Sequence, residues 1–407
     1  QRAIAIAALS RSICTITNYY GSNDAAAARQ IAESMGVKTR LFQTIRSETT
    51  ADNELVNELV NELVLELDSR YLTPRKHLEV NCGEAGLSVR MFAPILASLY
   101  ETVVMTGEGS IQKRPMTMVV EALSALGCRV ETQDSCLPMS IFGKIKPAEI
   151  HIDGSESSQL LTGLLIALPL LDGDSILHLK NLKSIPYIAM TIAVLADFGI
   201  EIHHSDFKTF YIKGNQTILP KTYTVEGDWS GAAFHLVGAA ISGTVLLKGL
   251  NYQSQQADRA ILAALERCGA TIAISENGIR ITKSALNPFR FDATHCPDLF
   301  PPLAALAACC VGVSTIVGTN RLKHKESDRA ITIQTELKKI GIDVVLTENT
   351  MLVMGGTQIT GGNTNSHNDH RIAMMLGILR TVANGDIAIA NAAAVAKSYP
   401  TFFDDLN

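Results

Sequence analysis

The stretch Leu195-Ala196-Asp197-Phe198-Gly199-Ile200-Glu201-Ile202 passes from an apolar helix through a single glycine into a β-branched strand. Glycine just past a helix adopts the left-handed C-cap conformation without steric penalty, so this boundary is legible from residues alone. The same pattern recurs around Gly127 (Leu123 to Val130), Gly269 (Leu265 to Ile272) and Gly341 (Leu337 to Val344). The four glycines are spaced 72, 70 and 72 residues apart. A fixed period of this length marks copies of one supersecondary unit.

A second series runs in step with the first. Polar or small residues open apolar helices near Arg2, Gly86, Ser157, Ser230, Asp298 and Asp369, and the last four intervals are 71, 73, 68 and 71. Each copy reads strand, helix, strand, helix, strand, strand. Six copies predict an α/β protein of two similar domains with three βαβαββ units each, residues 1–222 and 223–407, because Pro220-Lys221 precedes a new strand. The first copy opens inside a helix at Gln1-Arg2, so a natural N-terminal segment is expected ahead of it, and the last copy runs out after Phe403. Gly36 precedes Gly127 by 91 residues, which locates an insertion. The acidic, leucine-rich segment Asn53 to Asp68 supplies it and reads as a surface helix with Leu and Val on one face.

The 407 residues suffice for two domains with real cores. A net charge of −5 argues against non-specific nucleic-acid binding. The eight cysteines show neither CxxC nor zinc spacing, and most sit in apolar runs such as Ala307-Ala308-Cys309-Cys310-Val311. They read as reduced core residues of a cytoplasmic protein. The longest apolar run, Leu160 to Leu171, is too short to span a bilayer, and no signal peptide is visible.

Helix N-termini carry unsatisfied N–H groups and partial positive charge, so several converging ones would form an anion-binding centre. The motifs at the helix starts suit that. Lys325-Glu326-Ser327-Asp328-Arg329, preceded by Arg321, Lys323 and His324, is the densest charged cluster; it reads as a solvated helix start or as an anion site with Glu326 as general acid. Thr294-His295-Cys296-Pro297-Asp298 leads into an apolar helix, with Asp298 as an N-cap or a general base. Asn368-Asp369-His370-Arg371 opens another; capping explains the first two residues, but a buried Arg371 calls for an anion. Glu84 to Arg90 is a weak phosphate-loop signal, and Thr106 to Pro115 a turn with a basic pair. Asp153-Gly154-Ser155-Glu156-Ser157-Ser158-Gln159 places hydroxyl and amide donors at a helix start. Together, Arg90, Arg114, Lys325, Arg329, Arg371 and Lys397 are expected to face one centre for two anionic ligands. No HExxH, Walker lysine motif or defensible Ser-His-Asp order is present.

As a set and in this order, Asp-Gly-Ser-x-Ser-Ser-Gln, His-x-Pro-Asp, Lys-Glu-Ser-Asp-Arg, Asn-Asp-His-Arg and Lys397-Ser398-Tyr399-Pro400 resemble the 5-enolpyruvylshikimate-3-phosphate synthases of the enolpyruvyl transferase family. The resemblance covers nearly the whole chain. It implies an inside-out α/β barrel in each domain and helix N-termini directed at an interdomain cleft whose closure excludes water. It implies transfer of the enolpyruvyl group of phosphoenolpyruvate to the 5-hydroxyl of shikimate 3-phosphate. Arg2, Ser157, Ser158, Gln159, Ser184, Tyr187, Asp298 and Lys325 would then attend shikimate 3-phosphate. Gly86, Arg90, Arg114, Gln159, Arg329, Arg371 and Lys397 would surround phosphoenolpyruvate, with Asp298 and Glu326 as base and acid. No metal or cofactor, nucleic acid or membrane is implied, and a monomer is expected. The inhibitor glyphosate would bind near Gly86. Three departures stand out. A Ser-Lys-Ser motif expected just before Arg2 is not in this sequence, so weak turnover is expected of the chain as it stands. Glu84 and Leu87 replace the usual Asn and Thr beside the loop glycine, and the insertion has no family role. Two alternatives remain at this point: the sister enzyme acting on UDP-N-acetylglucosamine, whose loop cysteine is missing between Glu108 and Arg114, and an inactive ligand-binding homologue.

Overall fold

A computed structural model describes residues 1–47, 59–73, 75–323 and 325–406. Along the chain these form α1 (Arg2–Ala7), β1 (Ile13–Thr17), α2 (Asn23–Ser34), β2 (Lys38–Ser47) and β3 (Leu59–Asp68) in the first copy. The second copy is β4 (His77–Asn81), α3 (Gly86–Leu99), β5 (Thr102–Thr106), α4 (Thr117–Ala125), β6 (Arg129–Gln133) and β7 (Cys136–Phe142). The third is β8 (Glu149–Asp153), α5 (Gln159–Ala167), β9 (Ser175–Lys180), α6 (Ile185–Asp197), β10 (His203–Ser205) and β11 (Thr209–Ile212). The fourth is β12 (Thr222–Thr224), α7 (Trp229–Ser242), β13 (Thr244–Leu247), α8 (Ile261–Arg267), β14 (Thr271–Ser275) and β15 (Gly278–Thr282). The fifth is β16 (Arg290–Asp292), α9 (Phe300–Ala308), β17 (Gly312–Val317), α10 (Arg329–Lys339), β18 (Asp343–Leu346) and β19 (Thr350–Gly355). The sixth is β20 (Gly362–Asn365), α11 (His370–Arg380), β21 (Ile387–Ala390) and α12 (Phe402–Leu406).

The copies share one sheet topology. In β4-β5-β7-β6, in β8-β9-β11-β10 and in β16-β17-β19-β18, the first two strands are parallel and the remaining pairs antiparallel. The first helix of each copy is apolar on nearly all sides and is buried accordingly: every residue of α9 is buried, as are Ala3 to Ala7 of α1. A helix without a polar face is stable only at the centre of a unit, so the sheets lie outside and the helices inside. Among the described residues no helix is long and apolar enough to cross a membrane.

The chain divides after Val225 into two compact units. The strand read as opening the second domain, β12, lies in the first unit. It pairs in parallel with β1, Thr15 opposite Thr222, and so occupies the edge that the leading strand takes in the other copies. The vacant backbone edge of β1 offers the hydrogen bonds that place it there.

The insertion helix is corrected. Leu59–Asp68 is a strand, hydrogen-bonded on one side to β2 over its whole length and on the other to β1. The repeat Asn-Glu-Leu-Val has a period of four, which suits one face of a helix and equally one face of a strand, since four is a multiple of two. Two neighbouring strands decide the matter, and Leu65 and Leu67 are fully buried between them and the core. Residues 53–58 of that expected helix, and His324, lie outside the described residues.

In the first unit α3 packs directly on α5. The approach depends on Gly163, where a Cβ would stand 2.2 Å from the Met91 carbonyl oxygen and 2.7 Å from Pro94 Cγ. Backbone cannot yield as a side-chain end can. Gly163→Ala is therefore expected to destabilise the protein by about 1–3 kcal/mol. Equilibrium urea unfolding checks this, and an unshifted midpoint would show that the helices separate at no cost.

Candidate active site

In the first unit the starts of the inner helices are tied to one another by side chains. Ser88 Oγ of α3 donates to Gln1 Oε1 ahead of α1, at 3.1 Å. Arg90, also on α3, donates from Nη1 to Gln159 Oε1 of α5 and from Nη2 to the Pro115 carbonyl, each at 3.1 Å. Arg2 Nε donates to Thr191 Oγ1 of α6 at 2.9 Å, and that hydroxyl lies 3.1 Å from Thr162 Oγ1 of α5. Burial lowers the pKa of Arg2 to about 10, against the opposing pull of Tyr187 and Tyr223, so it stays cationic at neutral pH.

The other expected residues of this unit cluster at the same helix ends. Ser157 Oγ accepts the Gln159 N–H at 3.1 Å, and Ser158 is the N-cap of α5, so the hydroxyl and amide donors do open a helix. Ser184 caps α6 in the left-handed region, with φ of 55°, and its carbonyl accepts the Tyr187 N–H at 3.1 Å. Arg114 is buried over Gly86: a Cβ on that glycine would lie 2.7 Å from Arg114 Nη1.

The second unit holds a denser network. Asp298 lies in the turn Pro297–Leu299 that leads into α9. Its Oδ1 accepts from Lys325 Nζ at 3.1 Å and Arg329 Nη1 at 2.8 Å, and its Oδ2 lies 3.3 Å from Arg371 Nη2. Burial alone would raise its pKa, but Arg371, Lys325 and Arg329 outweigh burial and hold the carboxyl well below the usual carboxylate range. Arg329 is the first residue of α10 and has no exposed surface. Besides Asp298 it reaches Glu326 Oε2 at 2.5 Å and both oxygens of Asp369, at 2.9 and 3.2 Å. Burial works against its charge, and Asp369, Glu326 and Asp298 together raise its pKa.

Asp369 is the helix cap that the sequence suggested, since it accepts the Arg371 N–H at 3.0 Å, and it is also a buried counter-ion. Arg371 Nη1 donates to Ser230 Oγ at 2.5 Å, which joins α11 to the start of α7. Lys397 Nζ donates to the Asn368 carbonyl at 2.6 Å. His367 and Asn368 both adopt positive φ, 53° and 58°, in the bend that presents that carbonyl. Burial, followed by the charge of Arg371, lowers the pKa of His370 to about 4, so the imidazole is neutral beside this cluster.

Asp298, Lys325, Glu326, Arg329 and Arg371 thus form one connected network through Asp298 and Arg329, and Lys397 is tied to the loop before Arg371. Arg2, Gly86, Arg90, Arg114, Ser157, Ser158, Gln159, Ser184 and Tyr187 belong to the first unit, where each stands at or next to a helix start. Three participants were not singled out as site residues. Ser230 was read as a helix start only, Asp369 as a cap only, and Asp258 not at all. Burial and the charge of Asp298 push the Asp258 carboxyl up to about 6, against Arg371 and the Ser230 hydroxyl. The repeat itself carried the signal: Arg114, Ser184 and Arg329 each stand at or just before the second helix of a copy, and Asp258 stands just before α8.

The family model described as EPSP synthase (3-phosphoshikimate 1-carboxyvinyltransferase) matches residues 1–406. The 3-phosphoshikimate 1-carboxyvinyltransferase of Clostridium novyi (strain NT) is 36% identical over 406 residues, covering 100% of this chain and 91% of the relative. That of Clostridium acetobutylicum is 36% identical over 408 residues, with the same coverage. Among solved structures, EPSP synthase from Acinetobacter baumannii superposes with a TM-score of 0.73 at 25% identity, over 99% of this chain and 91% of that one. With the six-copy fold and the motifs in family order, these likenesses place the chain in the EPSP synthase family, the 3-phosphoshikimate 1-carboxyvinyltransferases.

Proposed function

We propose that the chain transfers the enolpyruvyl group of phosphoenolpyruvate to the 5-hydroxyl of shikimate 3-phosphate, releasing phosphate, with Asp298 and Glu326 as its acid–base pair. Family membership makes it a transferase of the shikimate pathway. The observation that carries the assignment of roles is the Asp298 carboxylate under three cations, Lys325, Arg329 and Arg371.

In this reading Glu326 delivers a proton to the methylene carbon of phosphoenolpyruvate. C2 becomes cationic, and the 5-hydroxyl oxygen attacks it as its proton passes to Asp298. The tetrahedral adduct then loses phosphate from C2, which takes the proton held by Asp298, and a proton from the methyl carbon, which returns to the Glu326 carboxylate, and this leaves the enolpyruvyl ether. Held by three cations, Asp298 is a weak base. Anionic ligands compete for Arg371 and Lys325, and each contact they draw away restores basicity to Asp298. The same anions disfavour the Glu326 carboxylate, which otherwise gains from Arg329, and so favour its protonated, acid form. Arg90, Arg114, Arg329, Arg371 and Lys397, with Gly86 and Gln159, bind phosphoenolpyruvate. Arg2, Ser157, Ser158, Gln159, Ser184, Tyr187 and Lys325 bind shikimate 3-phosphate, the serines and Gln159 from a helix start whose N–H groups favour a phosphate. Arginine suits the two-pronged contacts to carboxylate and phosphate. We also place the protein in the cytoplasm as a monomer; the eight free cysteines support a reducing compartment.

Asp298→Asn and Glu326→Gln are expected to lower kcat by about 10²–10⁴-fold while leaving substrate binding within a few-fold. Steady-state kinetics with equilibrium binding of both substrates checks this, and near-normal kcat in both variants would remove the acid–base pair. Gly86→Ala puts a methyl group 2.7 Å from Arg114 Nη1, so the guanidinium must shift. It is expected to raise the KM for phosphoenolpyruvate several-fold and to weaken glyphosate inhibition. Unchanged values for both would show that Arg114 does not serve that ligand.

A further inference from the structure

Glu336 lies on α10, about two turns beyond Arg329, and has no exposed surface. A carboxylate out of water is tolerated only when its charge and lone pairs are met. Lys339 Nζ meets its two oxygens at 2.8 and 2.9 Å, the Asn365 N–H donates to Oε2 at 2.9 Å, and His367 Nε2 donates to Oε1 at 2.7 Å. Burial would raise its pKa, but these partners outweigh burial and hold the carboxyl below its ordinary value. Lys339 belongs to the same helix. Asn365 ends β20, and His367 lies in the bend that follows, ahead of α11. The carboxylate therefore fastens that bend to α10.

The bend needs fastening. His367 and Asn368 are both left-handed, a conformation unfavourable for residues other than glycine that persists only where the surroundings impose it. Part of that is local: the His367 N–H donates to Asn365 Oδ1 at 2.7 Å, and the Asn368 N–H to Ser366 Oγ at 3.2 Å. Glu336 grips the bend from outside, at Asn365 and at His367. What the strained bend presents is the Asn368 carbonyl, which accepts Nζ of the buried Lys397 at 2.6 Å. A lysine ammonium sits on a flexible stem, so its place is set by the acceptor that holds it. The far end of the turn that carries it, Ala392–Lys397, is tied to the same bend. Asn391, the N-cap of that turn, donates from Nδ2 to Asn365 Oδ1 at 3.2 Å, and its carbonyl accepts Ser366 Oγ at 2.9 Å. The bend thus locates Lys397 from both ends of its turn, and Glu336 holds the bend.

We propose that Glu336 is a positioning residue of the transfer reaction: through Asn365 and His367 it holds the Asn368 carbonyl that fixes the Lys397 ammonium for phosphoenolpyruvate. The inference rests on the reading of Lys397 given under Proposed function. Glu336 has no exposed surface, so it acts through the bend and not by touching a substrate.

The test is steady-state kinetics of Glu336→Ala, Glu336→Gln, His367→Asn and the double variant Glu336→Ala/Lys397→Ala, with Lys397→Ala as reference and thermal midpoints alongside. Glu336→Ala is expected to raise the KM for phosphoenolpyruvate about 10-fold, with a smaller fall in kcat and little change in the KM for shikimate 3-phosphate. Glu336→Gln recovers most of the loss, because its amide oxygen still accepts the Asn365 N–H and its NH2 donates to a neutral His367 ring. Asparagine tolerates the left-handed conformation at position 367 but is too short to reach Glu336, so His367→Asn raises the same KM about 3- to 10-fold. The double variant raises it by less than the product of the two single effects, since both changes act on one ammonium, and a full product overturns the proposal. A merely structural residue would lower the thermal midpoint and leave that KM untouched, and this result also overturns it. Should Glu336→Ala fail to fold, His367→Asn decides: an unchanged KM overturns the proposal and a selective rise supports it. If Lys397→Ala is impaired while Glu336→Ala and His367→Asn are normal, only this proposal falls. If Lys397→Ala itself keeps a normal KM, the role of Lys397 falls and the proposal with it.

Discussion

One buried cation organises the second unit. Arg329 has no exposed surface, and a guanidinium out of water is tolerated only when its charge and its N–H groups are met. Asp298 meets it from the lead-in to α9, Glu326 from the loop before α10, and Asp369 from the cap of α11. Three helix starts are therefore held around one side chain. With Lys325 and Arg371 also on Asp298, three cations face three carboxylates, and removing any one carboxylate upsets that balance around a guanidinium with no exposed surface. A hydrophobic cluster could hold three helices together as firmly, but it could not hold them with carboxylates and cations facing one another.

The inside-out architecture makes that meeting possible. Helices apolar on every side pack on one another at the centre, so the residues just before and at their first turns become neighbours although they are about 70 positions apart in the chain. The first unit exploits the same geometry with different chemistry. Its links are hydroxyl, amide and guanidinium contacts: Ser88 to Gln1, Arg90 to Gln159, Arg2 to Thr191. The second unit balances cations against carboxylates. The two chemistries suit different tasks. Neutral donors and cations hold anionic groups without titrating, whereas a carboxylate held down by cations changes its proton affinity when a ligand competes for them.

That competition couples binding to reactivity in the proposed mechanism. Arg371 sits at its pivot, with one nitrogen on Ser230 and another on Asp298. Asp228 steadies Ser230 through its N–H. A guanidinium anchored at one end turns little when a ligand arrives, which is the preorganisation that electrostatic catalysis requires.

The repeat, the six helix starts and the family motifs were all legible in the sequence, because glycine C-caps, apolar helices and polar helix starts are local signals that survive without knowledge of neighbours. The conformation of Leu59–Asp68 was not, since a four-residue period satisfies helix and strand alike and only hydrogen bonding to β1 and β2 chooses between them. Nor was the membership of β12, which follows from the open edge of β1, whose Thr15 pairs with Thr222. The site divides in the same way. Residue types at helix starts announced anion chemistry, and the cap at Asp369 could be read directly. That Asp369 is also the counter-ion of Arg329 was decided by tertiary structure alone. Pairing between side chains from different copies depends on how the helices pack, and packing leaves no local trace in the order of residues.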